Sequence, residues 1–264
     1  MSHASALHLT RRGFLVGGAA LLASGKAVPS TPSCILVPEQ EEGPYYIDDE
    51  KLRRDVTEDR PGVPLKLRIA VVDAARCVPL RNAAVDLWHC DALGVYSGFT
   101  ASSFGGPGPG GPDGGPGRPP RMGPPGPQRE RHVDATRFLR GVQLTGQDGI
   151  AEFATIYPGW YFGRAIHIHL KVYLGGHVSH TGQLFFPEEV TADVAKLTPY
   201  AARLQVPRTS QSEDHIFNGQ HGAASMTGLS RLRSGSNADG FLATVTLAVD
   251  PEATPAPVRG FRPR

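Results

Sequence analysis

From residue 65 to residue 249 the chain repeats one local pattern. Short runs rich in β-branched and aromatic residues, at 65–72, 83–90, 138–145, 150–156, 166–173, 183–186 and 241–249, alternate with turn-forming stretches. Runs of this length and composition read as strands. Asp148-Gly149 separates two of them and Asp239-Gly240 introduces the last, as hairpins or strand entries require. Seven such segments and one short helix candidate, 187–197, specify an all-β chain, a sandwich or barrel; a β-sandwich of mixed short strands is the expected fold.

The 264 residues, 40% of them hydrophobic, suffice for one good core, so one domain is expected over 31–264. Basic and acidic residues number 27 and 25, giving a formal charge of +2, and form no long run of one sign that would mark a nucleic-acid surface. Neither a G-x-S-x-G elbow nor a phosphate-binding loop is present, so hydrolase and nucleotide chemistry lack support.

Within the 166–173 run lies His167-Ile168-His169. Alternate strand residues share a face, so both imidazoles point the same way. Two nitrogen donors suit zinc, copper, iron or nickel, and alone they are as well read as half-buried strand histidines. Tyr161, close upstream, narrows the choice. A coordinating phenol must lose a proton whose ordinary pKa is about 10, which near neutral pH takes a strongly Lewis-acidic ion, and ferric iron, Fe(III), fits best.

The segment Tyr157-Pro158-Gly159-Trp160-Tyr161, with Arg164 and His167-Ile168-His169 after it, resembles the signature of the intradiol ring-cleavage dioxygenases. These are non-haem Fe(III) enzymes that open catechols between the two hydroxylated carbons. Val85 to Gly98, containing Trp88 and Tyr96, resembles the block that supplies the family's first ligand tyrosine, and Glu42-Gly43-Pro44-Tyr45-Tyr46 resembles its entry segment. The likeness runs from about residue 40 to 245, broken by one insertion.

The resemblance implies Tyr96, Tyr161, His167 and His169 as metal ligands. It implies Arg164 as the cation that stabilises charge developing on the ring, a task suited to a fixed charge in a water-poor pocket, Gln183 as a supporting residue beside the centre, and Tyr161 as the ligand displaced when substrate binds. The substrates would be a small aromatic diol and O2, and the product a muconate-type dicarboxylate, with no external reductant. Tyr157, four residues before Tyr161, is expected to pack or to hydrogen-bond around the centre, His89 to support the ligands or be structural, and Tyr45 and Tyr46 to line the pocket mouth or pack. His177, His180, His215 and His221 are expected in exposed loops. Phe162 stands where the catechol and protocatechuate enzymes commonly carry proline, so the chain looks like the exported, single-domain branch of the family.

Residues 1–30 read as a twin-arginine export signal: Arg11-Arg12 precedes an apolar run at 14–23 that is too short to span a bilayer. The expected location is periplasmic or extracellular, without stable membrane insertion, and a homo-oligomer is compatible with the chain. In an oxidising compartment Cys77 and Cys90, at the ends of strand-like segments taken as neighbours, are the expected disulfide, leaving Cys34 over; three reduced thiols are the alternative. Residues 105–127 contain 19 Gly or Pro out of 23 without a triplet repeat, so the insertion at about 104–128 reads as a disordered or polyproline-like loop. Two rival functions stay open on sequence alone: a non-catalytic metal-binding β-sandwich module of the cell envelope, and a zinc or copper enzyme using His167 and His169.

Overall fold

The computed structural model describes residues 34, 36–48, 51–101, 103, 134–233 and 235–258. The export signal expected at 1–30 and the insertion at 104–128 lie outside the described residues. In chain order the strands are β1 (Pro64–Asp73), β2 (Ala84–Trp88), β3 (Arg140–Leu144), β4 (Ile150–Ile156), β5 (His167–Leu174), β6 (His177–Phe185), β7 (Gly228–Arg231) and β8 (Phe241–Val249). They form two four-stranded sheets, ordered β4-β1-β8-β7 and β3-β2-β5-β6. Every pair is antiparallel except β1 with β8, so this is the expected mixed β-sandwich.

Period-two patterning explains which face each sheet turns inward. On β1, Leu65, Leu67, Ile69 and Val71 are buried while Lys66 and Arg68 are exposed. These residues meet Ile168, Leu170 and Val172 of β5, together with Val85 and Leu87, in one continuous apolar cluster between the sheets. On β5 the other face is buried as well, at His167, His169 and Lys171. A second cluster, Tyr45, Tyr46, Ile47, Trp88, Cys90, Tyr96, Phe99 and Tyr161, is separate from the inter-sheet core.

β1 and β2, adjacent in sequence, belong to different sheets. This corrects the Cys77–Cys90 pairing: the disulfide joins Cys34 to Cys77, with Cα atoms 5.6 Å apart, inside the range a disulfide spans. Val37 N donates to Ala248 O and Ala74 N to Val249 O, so the chain on either side of the bridge is fastened to the same end of β8. Cys90 is a buried free thiol whose Sγ donates to Gly159 O at 3.5 Å. The Asp148-Gly149 turn likewise carries the chain from one sheet to the other, since β3 and β4 do not pair.

β6 begins at His177, earlier than its apolar content indicates, and β7 was not anticipated. His177 is accordingly half-buried on a strand and His180 buried, with Nδ1 2.7 Å from Glu39 Oε1, while His215 is exposed but begins a short helix and His221 is exposed. Helix α1 (Glu188–Val194) falls within the expected 187–197. A second short helix, α2 (His215–Gly219), is capped by the Asp214 carboxylate, which accepts from Ile216 N and Phe217 N. Among the described residues no helix is long and apolar enough to cross a membrane.

Candidate metal centre

β5 places the two imidazoles on its outer face, where their Nε2 atoms approach to 3.0 Å. His167 Nδ1 lies 2.6 Å from the Ala165 carbonyl oxygen. A carbonyl can only accept, so Nδ1 carries the proton and Nε2 presents its lone pair. Tyr161 Oη sits 3.1 Å from that same Nε2. His169 pairs across the sheet with Trp88, and the rings stack at 5.1 Å with a 5° interplanar angle. Gly43, at φ +73°, runs its backbone over the His169 ring; a Cβ there would stand 3.1 Å from Cε1.

Tyr161 and Tyr96 sit on separate turns, one after β4 and one after β2. The turns interlock: Gly159 N donates to Asp91 O, and a Cβ on Gly94, at φ +78°, would lie 2.4 Å from Trp160 O. Only glycine permits that approach. The Tyr96 ring is thereby set 5.9 Å from Tyr161 and 6.3 Å from His169, with Tyr45 stacked on its other side at 4.4 Å. The Tyr96 hydroxyl is fully buried and makes no hydrogen bond of good geometry. Tyr161 lies near enough to act on it electrostatically.

Burial pushes both phenols well above the usual tyrosine range, with the neighbouring Tyr161 adding to the effect on Tyr96 and Arg164 opposing it on Tyr161. Burial, with Arg164 nearby, pushes both imidazoles well below the usual histidine range, so they stay neutral. Two neutral nitrogens and two phenols that ionise only against a strong cation are the donor set a trivalent, Lewis-acidic ion requires. Among the described residues no group of three His, Cys, Asp or Glu is arranged to hold a metal, so an ion held here would need the tyrosines.

Arg164 borders the cluster. Its Nε donates to both Asp214 carboxylate oxygens, at 3.2 and 3.1 Å, its Nη2 donates to Gln183 Oε1, and its Nη1 lies 3.9 Å from Glu41 Oε1. Burial disfavours the Arg164 cation, but Tyr161, Asp214 and Glu41 more than offset it and hold the charge in place. Gln183 is the cross-strand partner of His169; its Nε2 donates to Glu41 O and its backbone N to Gln40 Oε1. The 40–46 segment is thus bonded to the edge of the site.

The structure brings Tyr161, His167 and His169 together, sets Tyr96 beside them and Arg164 with Gln183 next to them. Tyr157 points away and bonds Thr191 Oγ1 at 2.7 Å. His89 is structural, bridging Cys90 O and Thr155 Oγ1 of the opposite sheet. Tyr45 and Tyr46 are packed, not at an open mouth. Glu41 and Asp214 were missed. The one sequence sign for Asp214 is its place before a short helical stretch, where Asp is a favoured cap.

No protein-family model and no curated protein matches the chain. Solved structures do. An intradiol ring-cleavage dioxygenase from Tetranychus urticae has a TM-score of 0.69 and 32% identity, covering 84% of this chain and 98% of that one. The chain belongs to the intradiol ring-cleavage dioxygenase family. The dioxygenase domain of a dioxygenase carbohydrate-binding protein fusion from Streptomyces sp. SirexAA-E matches at TM-score 0.52 and 27% identity, covering 82% of this chain and 99% of that one. A mutant catechol 1,2 dioxygenase from Acinetobacter radioresistens, at 16% identity and TM-score 0.50, shares the fold over 86% of this chain and 67% of its own. This intradiol family member therefore combines the family's sandwich with a buried cluster of two phenols and two imidazoles on the outer face of one sheet.

Proposed function

We propose that the chain is a non-haem Fe(III) dioxygenase that cleaves a catechol-type ring between its hydroxylated carbons, converting the aromatic diol and O2 into a muconate-type dicarboxylate. The observation that carries this is the approach of His169 Nε2 and Tyr161 Oη to His167 Nε2, at 3.0 and 3.1 Å, beside the buried Tyr96 hydroxyl, in a chain of this family. Tyr96, Tyr161, His167 and His169 would hold the ion. Bound there, ferric iron would chelate both catechol oxygens and make the ring nucleophilic toward dioxygen.

The remaining work falls to the chain. A catechol binding as a dianion sheds two protons; Tyr161 Oη would accept one and a hydroxide derived from water would accept the other. Arg164, anchored by Asp214, holds a permanent positive charge next to that oxygen and stabilises negative charge as it develops. The aromatic wall of Tyr45, Trp88, Tyr96 and Phe99 excludes water, which strengthens each of these interactions. Both oxygen atoms of O2 enter the product, so electrons balance without a further reductant. We also propose export by the twin-arginine route, a reading that the Cys34–Cys77 disulfide supports because such bonds persist in oxidising compartments.

Ring cleavage with isotopically labelled dioxygen tests the activity. The iron-loaded protein should consume O2 with catechol and give a dicarboxylate carrying both labelled atoms. Full iron occupancy without oxygen uptake on any of a panel of substituted catechols would favour the binding-module reading instead.

A further inference from the structure

We infer that Asp214 is the positioning residue of this centre, clamping Arg164 and, through residue 165, fixing the His167 imidazole; the inference rests on the roles proposed for Arg164 and His167. Asp214 is fully buried, and an ion so placed is tolerable only when well partnered. Its two oxygens divide the work. Oδ1 accepts from Ile216 N at 2.8 Å and Phe217 N at 3.2 Å, which caps α2, and touches Arg164 Nε at 3.2 Å. Oδ2 accepts from Arg164 Nε at 3.1 Å and from Ala165 N at 2.9 Å. The carbonyl of that same Ala165 receives the His167 Nδ1 proton.

One carboxylate therefore governs both the cation beside the reacting oxygens and the tautomer and tilt of an imidazole. Capping alone does not need an anion, because Asn and Ser cap comparably. The charge is directed at Arg164, whose Nε it takes up, leaving Nη2 to Gln183 and Nη1 toward Glu41. Partners that orient the residues around a metal commonly matter to activity nearly as much as the ligands do.

Asp214→Asn separates the two duties. The Asn oxygen still caps α2, while its amide group opposes the two donors that Oδ2 now satisfies. With the iron-loaded full chain, we expect kcat on catechol to fall by roughly 10–100-fold with KM little changed, iron to be lost faster to a chelator, and the Ala165 amide to exchange faster with solvent deuterium. The melting temperature should move little. In an Arg164→Gln background the same change should cost clearly less kcat than in the native chain, the remainder being the share that runs through Ala165 to His167. Losses that multiply in the double variant, or an Ala165 amide exchanging at the native rate, would overturn the inference. Should Asp214→Asn fail to fold, Asp214→Ser keeps a capping oxygen and supports the same comparisons. A native protein inactive on every catechol would sink the dioxygenase reading by itself, and amide exchange would still decide the role of Asp214.

Discussion

At the scale of single residues, burial sets the protonation states from which the site must work. Tyr161 is a phenol whose proton is hard to remove in the bare protein, so its value as a ligand depends on the ion. Replacing it by Phe keeps the ring packing but removes the oxygen 3.1 Å from His167 Nε2. We expect Tyr161→Phe to abolish ring cleavage and to change the colour of the iron-loaded protein markedly; unchanged activity would remove Tyr161 from the ligand set. Asp86 offers a test of burial away from the ligands. Desolvation outweighs its hydrogen bond from Tyr46 and the attraction of Arg140 and Lys171, pushing its carboxyl up to about 6. A folded-state pKa above the unfolded one means that the folded chain holds the extra proton between about pH 4 and pH 6. Stability from this group is therefore present at low pH and lost as pH rises through 6. Asp86→Asn escapes that loss, so its unfolding free energy relative to the native chain should rise by roughly 2 kcal/mol from pH 4 to pH 7. Urea unfolding at the two pH values measures this, and a difference flat with pH would contradict the assigned shift. The shared face of His167 and His169 was legible in the sequence because strand alternation is local. Asp214 was not, because it stands 50 residues from Arg164 and only the folded loops bring them together.

At the scale of elements, the strands followed their apolar alternation wherever one face met the inter-sheet core. β7 escaped notice because three of its four residues, Gly228, Ser230 and Arg231, are exposed, leaving no pattern of burial to read. The start of β6 escaped notice because its early residues include the polar Ser179 and His180, which are buried, His180 against Glu39 of a neighbouring segment and Ser179 beside His177 of the same strand. Pairing is a property of topology, and the parallel β1–β8 contact that brings Cys34 to Cys77 has no local signature. The disulfide closes a loop of 43 residues that includes the 40–46 segment bordering the site. Reduction, or Cys34→Ser, should lower stability by about 2–4 kcal/mol. Peptide mapping without reductant should recover Cys34 linked to Cys77, with Cys90 protected from alkylation until the chain unfolds; a Cys77–Cys90 peptide would refute the assignment.

At the scale of the molecule, fold and chemistry occupy opposite faces of one sheet. Ile168, Leu170 and Val172 build the inter-sheet core, while His167 and His169, interleaved with them along β5, face the aromatic cluster. Period-two alternation alone thus lets one strand serve both, and ligand changes should impair the centre without removing core contacts. The proposed centre has two tyrosinates and two imidazoles holding ferric iron and admitting a catechol. Its most direct test is the visible absorption spectrum of the iron-loaded protein, recorded without oxygen before and after adding catechol. Tyrosinate ligation predicts a tyrosinate-to-iron charge-transfer band that shifts when catechol binds. A colourless protein at full iron occupancy, unresponsive to catechol, would contradict it.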